Sequence, residues 1–320
     1  MMKEKAKWLI DAIESFDSIV IFRHVLADAD ALGSQFGLKT WIQERYPEKQ
    51  VFAIGNSVGA SSRYFPCIDQ VDDAIIARSL AIILDTSNAA RIDDARWQTA
   101  VKKIRIDHHI FVEKYCDEEL VQPEAAATCE ILALLLKEHG EILSKSSAQY
   151  LYSGLIADTI NFTISSTSTN TLQAAAYLIS FGVDVVQLQM QHFGTSLKDF
   201  YYENWLRSQM KFQDGVGYAL AKKSDFERFG LTFQQAKEKV FVFSGVFEIK
   251  VWALFTQMES VDHEEIYTCS LRSRNIALND IANNYGGGGH QCACGIKNLT
   301  ADNMKDLLRD LQVRVREISK

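Results

Sequence analysis

The sequence predicts an α/β chain in two parts: a parallel, doubly wound domain and then a smaller α/β domain with its own sheet. Three observations carry this. Four short apolar runs in the first third of the chain alternate with helical stretches, the spacing of parallel strands joined by crossover helices. One of them, LAIIL at 80–84, is apolar throughout, as a strand covered on both faces must be. After Asp214-Gly215 the pattern changes to strand candidates in close order.

Taken in order, residues 3–16 read as an amphipathic helix. Asp11 and Glu14 inside its apolar stretch argue against a secretion signal. Residues 18–22 (SIVIF) form a first strand that leads to His24, and a helix follows to Tyr46. Residues 51–54, closed by Gly55-Asn56, are a second strand. The third, 80–84, ends at Asp85-Thr86-Ser87-Asn88. The fourth, 102–106, ends at Asp107-His108-His109. Helices are expected at 125–139 (stopped by Gly140), 147–158 and 170–180 (stopped by Gly182), and one long connecting helix at 193–212. The domains are therefore expected at 1–190 and 214–320, with a helical linker at 191–213 and a cleft between. In the second domain, 216–221, 242–243, 249–255 and 266–271 are strand candidates. Residues 233–240 read as a helix, 277–285 as a helix running into GGGGH, and 303–318 as a closing helix.

A length of 320 residues fits two domains, and 47% apolar against 23% charged residues is an ordinary soluble composition. No apolar run reaches the ~18 residues that span a bilayer. Six scattered cysteines without a C-x-x-C pair read as reduced thiols in a cytoplasm; Cys292-x-Cys294 is too close for a usual zinc knuckle. The net charge of −7 excludes a protein that coats nucleic acid through a broad basic face. It leaves room for a small anionic substrate bound at metal ions.

The chemistry gathers at strand ends. In a parallel sheet all carboxyl ends lie on one edge, where ligands bind. Strand one delivers His24, Asp28 and Asp30 to that edge, strand three Asp85, and strand four Asp107-His108-His109. Asp158 adds a carboxylate inside an apolar helix, where it needs a partner. Each has a bland reading: Asp28 or Asp30 as a helix cap, Asp85 as a strand-end cap, Asp158 satisfied by hydroxyls. Asp107 reads as a structural residue that orients a histidine. His139 reads as a solvated cap, and His192 and His263 have no acidic company. Together the others form a donor set of carboxylates and imidazoles without thiolate. That set suits Mn²⁺ or Mg²⁺, and its size suits two ions about 3.5–4 Å apart sharing a carboxylate. Asp85, on the central strand, is expected to bridge. His109 is expected to donate a proton or hydrogen bond to a reacting phosphate.

RHVLADADALGS, LDTSNAARI, IDHH, LIADT and GGGGH, in this order, resemble the DHH phosphoesterase superfamily over nearly the whole chain. The pairing of SLRSR with GGGGH is similar to the DHH-associated domain of its short bacterial branch. That resemblance implies a phosphoric ester hydrolase with two Mn²⁺, with Mg²⁺ or Co²⁺ as substitutes. His24, Asp28, Asp30, Asp85, His108 and Asp158 would hold the metals, and His109 would stand beside the reacting phosphate. It implies short oligoribonucleotides (nano-RNA) degraded exonucleolytically to mononucleotides, and 3'-phosphate release from 3'-phosphoadenosine 5'-phosphate. The alternatives are cyclic or linear dinucleotides as substrates and, in another class, an inactive nucleotide-binding protein. A manganese pyrophosphatase of the same superfamily is disfavoured by SLRSR and GGGGH. The chain departs from the family pattern at Ala27 and Ala29 around Asp28, at Asn88 in place of an Asp, and at Ile160-Asn161, where a Gly and a basic residue are common. In the second domain Arg272, Ser273, Arg274, Gly287, Gly288, Gly289 and His290 are expected to bind substrate: the arginines by bidentate contact to phosphate, the glycines by backbone N–H groups. Residues 266–320 carry eight Lys or Arg against five Asp or Glu, which fits an anionic ligand. Cys292 and Cys294 read as packing residues. No membrane and no long duplex is expected as a partner; the oligomeric state, a homodimer among the options, is left open.

Overall fold

The structure is a computed structural model that describes residues 2–55, 60–258 and 265–318. Asn56 and His263 lie outside the described residues. The chain forms two compact units, Met1–Gly194 and Thr195–Lys320.

The first unit runs α1 (Met2–Glu14), β1 (Ser18–Phe22), α2 (Ala29–Arg45), β2 (Gln50–Ala53), α3 (Asp73–Ile76), β3 (Leu80–Leu84), β4 (Lys102–Asp107), β5 (Glu118–Val121), α4 (Thr128–His139), α5 (Lys145–Asp158), α6 (Thr169–Ile179) and α7 (Val185–Phe193). Its five strands pair in parallel in the order β2-β1-β3-β4-β5. Side chains alternate along each strand. Ile19, Ile21, Ile82, Leu84, Ile104 and Ile106 join the helical core on one face. Val20, Phe22, Ala81 and Ile83 pack with Ile76, Ile92 and Trp97 on the other. Both faces are covered, as the apolar strands required. The chain leaves β1 to build β2 on one side, then returns to build β3 on the other. That reversal opens a crevice at the carboxyl ends of β1 and β3. Gln35 of α2 closes the edge below it, donating to Ile21 O and Ile54 O at 2.7 and 2.9 Å.

Helix α5 is drawn tightly onto α2 by three glycines. A methyl at Gly33 would meet Tyr150 O at 2.5 Å, and one at Gly37 would meet Leu151 Cγ at 2.6 Å. A methyl at Gly154 would meet Cys129 Sγ at 2.4 Å and the Asp30 Cα at 2.9 Å. This contact carries the end of α5, and so Asp158, to the start of α2.

The second unit runs α8 (Leu197–Gln209), β6 (Lys211–Gln213), β7 (Val216–Ala221), α9 (Lys223–Glu227), α10 (Phe233–Lys237), β8 (Val251–Gln257), β9 (Tyr267–Ser273), α11 (Asn279–Asn284), β10 (Gly288–His290), β11 (Ala293–Leu299) and α12 (Ala301–Ile318). Its six strands lie in the order β10-β11-β9-β8-β7-β6. All pairs are antiparallel except β7 with β8.

Several elements differ from the sequence reading. The connecting helix expected at 193–212 is broken: Gly194 is extended, and Ser196 caps a new helix through its bond to the Asp199 amide. Helix α8 buries Tyr202 and Leu206 in the second unit's own core, and 211–213 pairs with β7. The expected linker at 191–213 is thus divided between the units at Gly194. Val242-Phe243 lie in a 3-10 helix, Glu238–Phe243, instead of a strand. The acidic β5 carried no apolar signal and was not anticipated. Among the described residues no helix is long and apolar enough to cross a membrane, and all six cysteines are free.

The glycine seam gives a first prediction. Gly154→Ala lowers stability by about 1–3 kcal/mol, the range for overpacking a close contact, read by urea denaturation. A midpoint equal to the parent would mean that the helices have room to part.

Candidate metal centre

At the end of β1 the backbone is pinned. Val25 N–H donates to Arg91 O at 2.8 Å, and Asp93 N–H to Arg23 O at 2.9 Å. The buried Arg23 guanidinium donates to Asp93 Oδ2 at 2.6 Å. His24 sits in this frame and donates from Nδ1 to Val25 O at 2.7 Å. Nε2 is then the nitrogen left to coordinate a cation, and it faces Asp28 Oδ2 at 3.6 Å and Asp85 Oδ2 at 3.4 Å.

Asp28 has two duties. Its Oδ1 accepts from the amides of Asp30 and Ala31, both at 3.0 Å, as the N-cap of α2; its Oδ2 faces His24. Capping by Oδ1 leaves Oδ2 for the predicted ligand role. Ala29 is the first residue of α2 and needs no glycine conformation; the left-handed residue of this loop is Leu26, at φ +53°.

Asp30 is wholly buried. Helix α4 starts at Ala127, which offers no side-chain cap. Asp30 supplies it from α2: Oδ2 accepts from Thr128 N at 2.6 Å and Oδ1 from Cys129 N at 2.9 Å. A carboxylate at a helix N-terminus is favoured by the helix dipole.

Asp85, at the end of the central strand β3, is buried and left-handed at φ +52°. Aspartate tolerates that region better than most residues. Its two oxygens face opposite ways. Oδ2 lies toward His24, while Oδ1 lies 3.4 Å from His108 Nε2 and accepts from Thr128 Oγ1 at 3.1 Å. His108 donates from Nδ1 to Ala125 O at 3.4 Å, and its Nε2 also faces Asp158 Oδ2 at 3.3 Å and Asp30 Oδ2 at 3.9 Å.

His109 is turned differently. Its Nδ1 donates to Asp107 Oδ1 at 2.8 Å and lies 3.6 Å from Asp85 Oδ1. Asp107 is wholly buried and takes the Arg105 guanidinium on its other oxygen. Asp107 therefore steadies His109 from behind, as its sequence reading expected.

The charges are strongly coupled. Burial alone would lower His24 and His108, but Asp28 and Asp85 hold His24 up to about 10, and Asp85 with Asp30 holds His108 up to about 10. Burial would raise Asp85, yet His108 and His24 pull it below the usual carboxylate range. Burial and the Asp85 charge push Asp30 up to about 7. Burial with Asp30 and Asp85 pushes Asp158 up to about 8. Four carboxylates thus share two imidazoles. Three groups of side chains each bring ligand atoms within 4.8 Å of one another: His24, Asp28 and Asp85; Asp30, His108 and Asp158; and Asp85, His108 and His109. Two Nε2 atoms, left to coordinate by the Nδ1–H donations once their protons are displaced, among oxygen donors fit a divalent cation of the Mn²⁺ or Mg²⁺ kind.

The structure brings all six predicted ligand positions into this one cluster. Sequence reading missed two supports, Thr128 and Arg105. A hydroxyl at a helix start after three alanines, and an arginine inside a buried strand, were the available signals.

In the second unit Arg272, Gly288 and Gly289 line a groove of about 330 Å³. Arg272, Ala293 and His290 form one cross-strand row, and Ser270, Gly295 and Gly288 the next. Ala293, Gly295 and Gly288 are small, and the Arg272 guanidinium lies across them, its Nη1 donating to Leu271 O at 2.8 Å and Cys294 O at 3.2 Å. Two expectations are corrected. Ser273 points to the opposite face, where its hydroxyl donates to Ile276 O, because alternate strand residues face apart. Gly287 N–H is spent on Ala282 O at 2.9 Å, ending α11, and Gly288–His290 is a strand. Arg274 donates to Val246 O at 2.6 Å. Cys294 is buried in the core, as a packing residue.

The model of the DHH family, N-terminal domain, matches residues 18–155. The bifunctional oligoribonuclease and PAP phosphatase NrnA of Bacillus subtilis (strain 168) is 32% identical over 313 residues, 97% of this chain and 98% of that protein. The chain belongs to the DHH family. It is a phosphoester hydrolase, of a family that depends on metal ions. The probable bifunctional oligoribonuclease and PAP phosphatase NrnA of Streptococcus mutans serotype c is 30% identical over 311 residues, 96% of this chain and 97% of that one. The crystal structure of an exopolyphosphatase-related protein from Bacteroides fragilis superposes with a TM-score of 0.75 at 23% identity, covering 98% of this chain and 95% of that one. At that identity the likeness shows the fold alone.

The pKa pattern predicts proton release. At pH 7 the metal-free cluster holds protons on His24, His108 and Asp158, and partly on Asp30. A cation must displace them, so its apparent affinity rises with pH from about 6 to about 11. Calorimetry with Mn²⁺ in buffers of different ionisation enthalpy measures both. An affinity independent of pH would remove these groups from the ligand set.

Proposed function

We propose that the chain is a Mn²⁺-dependent phosphodiesterase that degrades short oligoribonucleotides to mononucleotides and releases the 3'-phosphate of 3'-phosphoadenosine 5'-phosphate. One observation carries the two-ion form of this reading: Asp85 turns one oxygen to the His24 group and the other to the His108 group. His24, Asp28 and Asp85 would hold one ion; Asp30, His108, Asp158 and Asp85 the other. Bound there, the ions supply Lewis acidity toward phosphoryl oxygens and lower the pKa of water. Mg²⁺ or Co²⁺ would substitute.

The chain's own part is positioning. Asp107 fixes the tautomer of His109, leaving Nε2 to pass a proton or hydrogen bond at the reacting phosphate. Arg105 holds Asp107 charged and in place, with His109 and Arg105 keeping its carboxyl below the usual range against burial. In the second unit, Arg272 spends Nη1 on Leu271 O and Cys294 O, and its remaining donors would take a nucleotide's phosphate. Near-full-length likeness to oligoribonucleases and a net charge of −7 support short substrates over long duplexes. A cytoplasmic setting fits the free thiols.

The deciding assay offers Mn²⁺-loaded protein a 5'-labelled RNA dimer, a pentamer, a 24-mer, the bisphosphate nucleotide and pyrophosphate. The two short RNAs and the bisphosphate nucleotide are consumed, the 24-mer far more slowly, and pyrophosphate not at all. His109→Asn lowers kcat about 10²–10⁴-fold, the usual worth of a positioned proton donor. Pyrophosphate as the preferred substrate would overturn the assignment. Separately, Arg272→Ala raises KM for the dimer about tenfold or more, the worth of a charged hydrogen bond. It leaves turnover of an activated phosphodiester without a base unchanged; equal loss on both would refute a binding role.

A further inference from the structure

Three large apolar residues follow His109, and all face solvent: Ile110 is 79% exposed, Phe111 55% and Val112 63%. Consecutive exposed apolar residues in a turn are unfavourable unless something covers or uses them. This turn is not loose. The next residue, Glu113, accepts from Ala89 N at 2.9 Å, and its carbonyl accepts from Arg105 Nη1 at 3.2 Å. Tyr115 Oη donates to Thr86 O at 2.6 Å. The far end of the turn is therefore tied to the segment that follows Asp85, and its near end is His109, tied to Asp107.

A second exposed apolar residue follows a predicted ligand in sequence. Ile160, two residues after Asp158, is 58% exposed. It opens a run of three left-handed residues: Ile160 at φ +44°, Asn161 at +55° and Phe162 at +66°. Each such residue costs about 1–2 kcal/mol, and glycine is the usual choice. The run is anchored all the same. Asn161 N–H donates to Ile156 O at 2.8 Å, Phe162 N–H to Thr159 Oγ1 at 3.1 Å, and Phe162 packs on the core. The backbone thus holds an isoleucine outward, in a strained conformation, next to a predicted ligand.

We propose that the Ile110–Val112 turn, with Ile160, seats the nucleobase adjoining the reacting phosphate, and that Phe111 stacks on it. The proposal rests on the reading of the chain as a phosphodiesterase of short oligonucleotides. The occupant must carry a phosphate, because the turn begins at His109 on the rim of the cluster. It must also present an apolar, planar surface to Phe111. A nucleotide has both. The side chains of the turn offer no donor or acceptor to read base edges, so the seat accepts any base, as stacking sites do. Such a seat favours substrates that carry a nucleoside next to the scissile bond over inorganic phosphates.

The test compares an RNA dimer with the same dimer made abasic at one side or the other. Phe111→Ala raises KM for the intact dimer about tenfold, within the worth of one stacked base, with kcat nearly unchanged. It leaves KM for one of the abasic dimers unaltered, and Phe111→Tyr restores the parent value. Equal loss on all three dimers, no loss on any, or a lowered thermal midpoint would each overturn the proposal. A second arm measures binding of adenosine 5'-monophosphate and of ribose 5-phosphate to the Mn²⁺-loaded protein by calorimetry. The base-bearing ligand binds more tightly, and Phe111→Ala removes that advantage; an advantage that survives overturns the seat. If the parent protein leaves every dimer intact, the oligonucleotide reading fails, and this second arm still decides the base seat.

Discussion

Negative charge held out of water is the constraint on which the first unit depends. Asp30 and Asp85 are buried, Asp158 is mostly so, and all three face one imidazole. Burying one unpaired carboxylate costs several kcal/mol. The fold offsets part of this locally. The first amides of α4 take Asp30, Thr128 takes Asp85, and the α2 amides take Asp28. Each hydrogen bond to a charged group contributes about 1.5–3 kcal/mol. Two imidazoles cannot neutralise four carboxylates, and the remainder is what draws in either protons or divalent cations. The raised values of Asp30 and Asp158 are the proton-bound side of that balance.

The sheet decides where this charge can gather. Only at the reversal between β1 and β3 do two neighbouring strand ends open a crevice. His24 follows one strand and Asp85 the other. His108 arrives from β4, the next strand over. Asp158 is the exception, because it comes from the C-terminal end of a helix and not from a segment that follows a strand. It reaches the cluster only because Gly33, Gly37 and Gly154 let α5 lie close to α2. A packing feature of small residues thereby fixes the position of a charged one.

The legible parts of the site were those set by strand ends. A parallel sheet puts carboxyl termini together whatever the rest of the chain does, so His24, Asp85 and His108 could be grouped from sequence. Thr128 was not read, because its part rests on contacts with Asp30 and Asp85, far away in sequence; Arg105 was not read, because an alternating strand pattern does not show that its buried guanidinium turns back to Asp107 two residues on. Strand β5 was missed since Glu118 and Glu119 break the apolar pattern. They are tolerated at the sheet edge, where Glu118 meets Lys102 and Glu119 accepts from the Tyr115 and Cys116 amides. In the second unit the run of glycines read as a loop. Half of it is a strand, because Gly289 at φ +139° lies against Ala293 O, where a side chain could not fit.

Asp28 shows why capping and metal binding should not be weighed as rivals. A carboxylate has two oxygens, and a helix N-terminus uses one. Once Oδ1 is held by the Asp30 and Ala31 amides, the side chain has lost its rotamer freedom, and Oδ2 is aimed by the helix itself. Asp30 repeats the device two residues on, with both oxygens spent on the start of α4 while Oδ2 still faces His108. The helix ends that stabilise the fold are thus the parts that pre-position the predicted ligands. A cluster aimed in this way does not have to be ordered by the ion that enters it, so less of the binding energy goes into arranging side chains.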